Sequence, residues 1–407
     1  MSTADKKPLL ADLRVIEIAS MVLAPSAGVI LADFGAQVIK VEPLGTGDLN
    51  RNWHKILGLP ISDFPYPFQV DNRNKKSIAL NLKSETGYEV FCKLLVDADV
   101  VITNYRLKAL TKLKLEYETI KAINPRIVYA LATGFGERGD ERHKPGYDSV
   151  SYWTRSAIDA QIFPYEGWLG AFPYGSGDHP SGMTLFAAIM TGLYQRQQTG
   201  EGCKVSTSLL ANGAWANSVM LQAQLAGAEF REKRPRDNAY NFVSLHYPTK
   251  DQRLMRLSVV NLEKDWQPFC EAISRTDFIT DARFSTEAAR AENMPALIRE
   301  ITTAFENQTV DYWHQQLELH DIPHAAVPTY AEAANDPQKA ANDIVVPLDH
   351  PTHGKMRTIN SPFEVSSASK IKPGPAPTLG EHTREVLQQA GYSKATIEQM
   401  IADGIAG

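Results

Sequence analysis

The residues with the clearest chemical potential lie in Gly175-Ser176-Gly177-Asp178-His179-Pro180-Ser181-Gly182, one carboxylate among glycines ahead of the apolar run Met183–Tyr194. An aspartate in this setting reads first as the cap of a helix beginning near Ser181. It also reads as a nucleophile. With an ordinary pKa near ~3.9 it is ionised at neutral pH and needs no base. Flanking glycines let a ligand approach the backbone, and N–H groups around Gly177 and Gly182 are candidate oxyanion donors. The helix N-terminus favours negative charge at the same place.

Other groupings carry weaker chemistry. His143, His179 and His382 have the right atoms for a metal, but no pair falls at helical spacing beside a carboxylate, so surface or capping roles are expected and no metal site. Ser176 and Ser181 flank His179, yet no GxSxG elbow accompanies them. Gly134-Phe135-Gly136-Glu137-Arg138-Gly139 has the GxGxxG spacing of a dinucleotide loop, although polar, proline-broken DERHKPGYD follows in place of a helix. The first strand-helix turn, ASMVLAPSAG, lacks the glycine triplet, while the next strand ends in Glu42 as a nucleotide-binding unit would. An NAD-dependent oxidoreductase therefore stands as the alternative from a different class, and a non-catalytic binding protein as another.

These groups need a scaffold, and the sequence supplies an alternating one. Arg14–Ile18, Gln37–Val41, Ser77–Leu82, Val100–Thr103 and Arg126–Ala132 read as strands, separated by helical stretches at 22–35, 84–98 and 117–124. That alternation predicts an open, mostly parallel sheet with helices on both faces and ligands at the carboxyl ends of the strands. From Asp178 to about Ala228 the pattern is helical, interrupted by TGEGCKVST as a turn and short strand. A composition shift at REKRPRDNAYN marks entry into a smaller domain holding a strand pair, HYPTK and LMRLSVV; the chain then returns through the Pro-rich KIKPGPAPTLGEH. The expected division is a large domain over 1–228, a small domain over 229–335, and a C-terminal return over 336–407.

Length and charge restrict the partners. A chain of 407 residues exceeds what one core usually serves. A net charge of −5 with well-mixed signs argues against nucleic acid. Cys92, Cys203 and Cys270 are far apart and odd in number, as expected of reduced thiols in a cytoplasmic protein. Neither a secretory pattern at MSTADKKPLLADLRV nor a bilayer-length apolar run is present, so no membrane association is expected.

Taken in order, LRVIEIASMVLAPSAGVILADFGAQVIKVEPLGTGDLNR, NRNKKSIALNLKSETG, DVVITNYRLKALTKLKLEYETIKAINPRIVYALATGFGERG, KPGYDSV, GSGDHPSGM, TGEGCKVSTSLL and LGEHTREVL resemble the class III coenzyme A transferases, the family of formyl-CoA transferase, carnitine CoA transferase and α-methylacyl-CoA racemase. The resemblance implies a Rossmann-like α/β large domain with an inserted α+β domain, and two subunits interlocked as a homodimer. It implies Asp178 as catalytic nucleophile, carrying an aspartyl anhydride and then an aspartyl-CoA thioester. The CoA contacts it implies are Val22, Leu23, Leu80, Lys83, Asn104, Tyr105, Lys112 and Tyr147. CoA and acyl-CoA are then substrates, exchanged with a carboxylic acid, and no tightly bound cofactor is implied.

Departures from the family pattern refine this. Formyl-CoA transferase has glutamine at the position of Leu23 and arginine at that of Pro43, which disfavours oxalate or formate here. Its glycine-rich loop has no counterpart in DNAYNFVSLHYPTK. The racemases' histidine corresponds to Tyr147, a poor base at pH 7, so transfer is favoured over the within-family alternative of an acyl-CoA racemase or isomerase. Leu23, Trp153, Trp168, Phe172 and Tyr174 suggest a partly apolar acyl pocket.

Overall fold

The computed structural model describes residues 8–56, 58–162, 164, 165, 170, 172–259 and 261–407, so Trp168 lies outside the described residues. Six strands, β1 (Arg14–Ile18), β2 (Gln37–Glu42), β3 (Lys76–Ala79), β4 (Val100–Thr103), β5 (Val128–Thr133) and β6 (Cys203–Ser208), form one sheet in the order β3-β2-β1-β4-β5-β6. Every pairing is parallel. This is the strand order of dinucleotide-binding folds, and it reverses between β1 and β4.

Successive strand residues point to opposite faces, and both faces are buried. Ile16, Ile39, Val101 and Tyr129 pack with Val90, Phe91, Leu94 and Leu95 of one helix (Glu85–Val96), with Ile120, and with Leu387 and Met400 from the C-terminus. Their neighbours Val15, Val38, Val100 and Val128 face the other way, onto α1 (Leu23–Asp33) and α2 (Asp178–Thr199). Where α1 meets α2, Gly182 allows close approach. A Cβ there would lie 1.8 Å from Ser26 Oγ and 2.6 Å from the Leu23 carbonyl oxygen.

Two compact units result. One takes residues up to 162 together with 170–227 and 337–407; the other is built on Ala228–Asp336. The second has its own core of Phe242, Trp266, Phe269, Phe278, Phe305 and Trp313, and an antiparallel sheet of β7 (His246–Pro248), β8 (Leu254–Leu257) and β9 (His324–Ala326). A strand pair was expected there; the third strand, His-Ala-Ala, is too short and too poor in β-branched residues to announce itself. No helix among the described residues is long and apolar enough to cross a membrane.

Candidate active site

A parallel sheet offers a ligand crevice where its strand order reverses, here beyond the C-terminal ends of β1 and β4. The turn leaving β1 is unusual. Met21 sits at φ +70°, in the left-handed region that side chains disfavour, so other groups must hold it there. Asp48 is the principal one. Its Oδ1 accepts from Ser20 Oγ (2.7 Å) and from the backbone N–H groups of Met21 and Asn50 (2.9 Å each), while Oδ2 lies 2.8 Å from Lys40 Nζ. From β4's end, Asn104 accepts from the Ser20 N–H (3.0 Å) and donates to the Ser20 carbonyl (2.7 Å), tying the two strand ends together.

Beneath this turn lies a buried ionic network. Glu17 on β1 and Lys40 on β2 are register partners, joined at 2.8 Å, and Glu17 also receives Lys75 at 2.7 Å. Burial opposes the charge on Lys40, but Asp48, Glu17 and Glu42 together raise its pKa far above the ordinary lysine range. Burial dominates at Lys75, lowering its pKa to about 8 despite the Glu17 partner. Glu42, at the strand end where a nucleotide-binding unit carries an acidic residue, pairs with Arg51 and accepts from Ser77 Oγ (both 2.6 Å), so its role is structural.

The turn opens onto a cleft of about 420 Å³. Its walls include Ser20, Met21, Leu23, Asn104, Tyr105, Arg106, Arg142, Lys144, Gly146, Tyr147 and Asp178. Five of the anticipated residues therefore share one cavity. A neighbouring cleft of about 490 Å³ is lined by Pro43, Leu80, Lys83 and, again, Tyr105. Val22 is fully buried, its side chain part of the core, and Lys112 is exposed on the helix Leu107–Leu113; neither lines either cleft. Arg106, Arg142 and Lys144 were not anticipated, because nothing in their local sequence distinguishes them from solvated surface charge.

Around Asp178 the expectations need correction. Helix α2 begins at Asp178 itself, with Gly177 as N-cap, so the aspartate is the first helical residue and makes no cap bond. The Gly177 N–H donates to Asp148 Oδ2 (3.3 Å), and Gly182 lies inside the helix against α1. These two are thus not free oxyanion donors. Nor is the carboxylate an ordinary one. Burial and then the Asp148 charge raise its pKa to about 7, with Asp71 adding to the rise and His179 opposing it.

His179 is exposed along part of its side chain, as expected of a surface group, but its ring is held at both nitrogens. Its Nδ1 faces the Gly175 carbonyl at 2.9 Å and its Nε2 faces buried Asp71 at 3.1 Å. Both ring nitrogens are occupied, leaving none to activate a serine, and Ser181 Oγ is spent on the Gly177 carbonyl (2.7 Å). His382 accepts from the Ser77 N–H at 3.3 Å beside a helix start, and His143 is exposed. The glycine loop after β5 leads into a 3-10 turn, Asp140–His143, and not into a helix whose N-terminus could meet a pyrophosphate, so it is no dinucleotide loop. Among the anticipated acyl-pocket residues, Leu23 lines the main cleft. Trp153 stacks on Phe172 (4.3 Å), and Tyr174 packs on Trp53 and donates to Asn50 Oδ1 (3.0 Å), all outside the cleft's walls.

Comparison with known proteins adds a consistent set of likenesses. The model of CoA-transferase family III matches residues 10–383. The chain is 30% identical over 390 residues to the (R)-2-hydroxy-4-methylpentanoate CoA-transferase of Clostridioides difficile, covering 96% of this chain and 97% of that one. It is 31% identical over 406 residues to the cinnamoyl-CoA:phenyllactate CoA-transferase of Clostridium sporogenes, covering 97% and 96%. Among solved structures, a CAIB/BAIF family protein from Brucella suis superposes with a TM-score of 0.81 at 26% identity, covering 95% of this chain and all of that one.

Proposed function

The chain belongs to CoA-transferase family III, and from that premise we propose that it moves coenzyme A from an acyl-CoA donor to a carboxylic acid acceptor through covalent intermediates on Asp178. The observation that carries the reading is the placement of Asp178 in one cleft with Leu23, Asn104, Tyr105 and Tyr147. The names of the relatives are those of transferases and give no support to racemisation.

An Asp178 oxygen attacks the thioester carbonyl, the C–S bond breaks, and CoA leaves as thiolate with a mixed anhydride formed. The thiolate then attacks the aspartyl carbonyl, expelling the donor acid as carboxylate and leaving an aspartyl-CoA thioester. The acceptor carboxylate attacks that thioester, forming a second anhydride and freeing the thiolate again. Attack of the thiolate on the acyl carbonyl yields the new acyl-CoA and restores Asp178. Each step exchanges one anionic leaving group for another, so no net proton is consumed, and one hard exchange becomes several easier ones.

Tyr105 lines both clefts, which supports a continuous track for CoA: Leu80 and Tyr105 against the adenine, Lys83 toward phosphate, and the thioester at Asp178. Arg106, Arg142 and Lys144 are further cations for the anionic ligand. Met21, Leu23, Leu49, Leu107 and Leu209 make part of the wall apolar, which fits an acid with an apolar side chain better than oxalate. Both relatives above are named for acids of that kind. A matrix of acyl-CoA donors and free acids, read by chromatography of the thioesters, tests this. Apolar acids are expected to accept CoA and oxalate to be at least about tenfold slower, a difference of ~1.4 kcal/mol; preference for oxalate would refute the assignment.

Since the attacking group is a carboxylate whose pKa is raised to about 7, kcat/KM is expected to rise with pH through that value, roughly tenfold from pH 6 to 8. A flat profile across that range would show that the ionised form is not what attacks.

A homodimer completes the proposal. Trp215, Val219 and Leu225, on consecutive helices Leu209–Ala216 and Ser218–Leu225, are 81%, 71% and 81% exposed in the single chain, an apolar surface suited to a second copy. Light scattering on the purified protein should give twice the chain mass, and a monomer at micromolar concentration would count against it.

A further inference from the structure

We propose that His179 is a positioning residue for the nucleophile, held as a doubly protonated ring between Gly175 and Asp71 so that a fixed positive charge stands beside Asp178. The inference rests on the reading of Asp178 as nucleophile. Its basis is a donor count. A carbonyl oxygen only accepts, so Nδ1 must carry a proton to bond Gly175 at 2.9 Å. The Asp71 carboxylate also accepts, so Nε2 must carry one to bond it at 3.1 Å. A neutral ring satisfies one of these contacts and sets a lone pair against oxygen in the other; the imidazolium satisfies both.

The local structure fixes this arrangement. Asp71 is buried near the end of the helix Tyr66–Asn72, and Gly175, at φ +72°, turns its carbonyl back toward the start of α2, where it also accepts the His179 backbone N–H at 2.9 Å. The ring therefore has two fixed acceptors from two separate elements. The partial burial of the ring disfavours its charge, but Asp71, the Gly175 carbonyl and Asp178 more than offset that and raise its pKa to about 9.

The charge matters because of what else faces Asp178. Asp148, just before the short π-helix Ser149–Thr154, and Asp71 repel a second negative charge. Tyr174 is held neutral by burial. Arg106, Arg142, Lys144 and Tyr147 line other walls of the cleft, and Arg73 shares a separate cavity with His179 and Asp71. His179 is the cation adjacent in sequence to the nucleophile, and its influence on Asp178 favours the ionised form. An opposite charge within a few ångströms moves a carboxyl pKa by about 1–3 units.

The test compares pH–rate profiles of the wild type, His179→Gln and Asp178→Asn. The His179 side chain is 44% exposed, so glutamine empties no core. The acidic limb of kcat/KM in His179→Gln is expected to move up by about one pH unit, so that its loss relative to wild type is roughly tenfold greater at pH 6 than at pH 9. A uniform loss with the limb unmoved would overturn the proposal. If Asp178→Asn keeps full activity, the nucleophile assignment itself fails, a separate outcome. A second readout needs no active variant: nitrogen-15 NMR of the imidazoles in the wild type at pH 7.5, with His179→Gln used to assign the signal. Two protonated ring nitrogens are expected for His179, and a neutral ring would overturn the proposal.

Discussion

Replacing Asp178 with asparagine is expected to lower CoA transfer by at least about a thousandfold while leaving CoA binding within a few-fold of wild type. The amide keeps the shape of the carboxylate but is too poor a nucleophile to form the anhydride. The other residues assigned to CoA in the proposal, Tyr105, Leu80 and Lys83, are untouched by the substitution. The same variant separates chemistry from folding. Asp178 has its pKa raised from 3.8 to about 7 in the folded chain, so the native state holds its proton more tightly than the unfolded state does. Stability from this group is complete below about pH 4 and lost as pH rises through 7. Asparagine removes that loss, so at pH 8 the variant should melt no lower than wild type. Loss of activity with a lowered Tm would point to a damaged fold instead.

The second large effect is expected at Lys40. Lys40→Met leaves the buried carboxylates of Glu17 and Asp48 without their shared cation. Breaking a buried ion pair from one side costs about 3–5 kcal/mol, which for a chain of this length corresponds to a Tm lower by roughly 5 °C. The consequence reaches the cleft because Asp48 holds Met21 in its left-handed conformation and Asn104 ties the adjacent Ser20 to β4. KM for the acyl-CoA should therefore rise more than kcat falls. Calorimetry and steady-state kinetics on one preparation would check both, and a Tm within about 2 °C of wild type would show the network to be dispensable.

Much of this architecture is legible in the sequence because parallel strands buried on both faces are written as short β-branched runs. Val100–Thr103 has the expected bounds, and Arg14–Ile18 likewise. Cys203–Ser208 is recognisable as a strand, but only the structure shows that it closes the sheet beside β5. The start of α2 was expected three residues late, since Pro180 looks like a boundary; proline is tolerated in a helix's first turn, where its missing N–H has no partner to lose.

Within the site, the identity of Asp178 is legible and its electrostatics are not. Asp148 and Asp71 stand 30 and 107 positions away, and together with burial they account for most of what makes this carboxylate unlike a free one. The support for Met21 is hidden for the same reason. Asp48 reads locally as a turn residue, and its bond to the Met21 N–H spans 27 positions. Lys40 and Glu17 look like interruptions of apolar strands until β1 and β2 pair and place them side by side.

The central claim is that acyl and CoA groups pass through Asp178, and trapping tests it most directly. The wild-type protein is incubated with an acyl-CoA it accepts, quenched with hydroxylamine or borohydride, digested, and read by peptide mass spectrometry. The account predicts a modified residue at Asp178, hydroxamate or reduced alcohol, that depends on acyl-CoA. Continued exchange of CoA between acids with the Asp178 peptide always unmodified would contradict it.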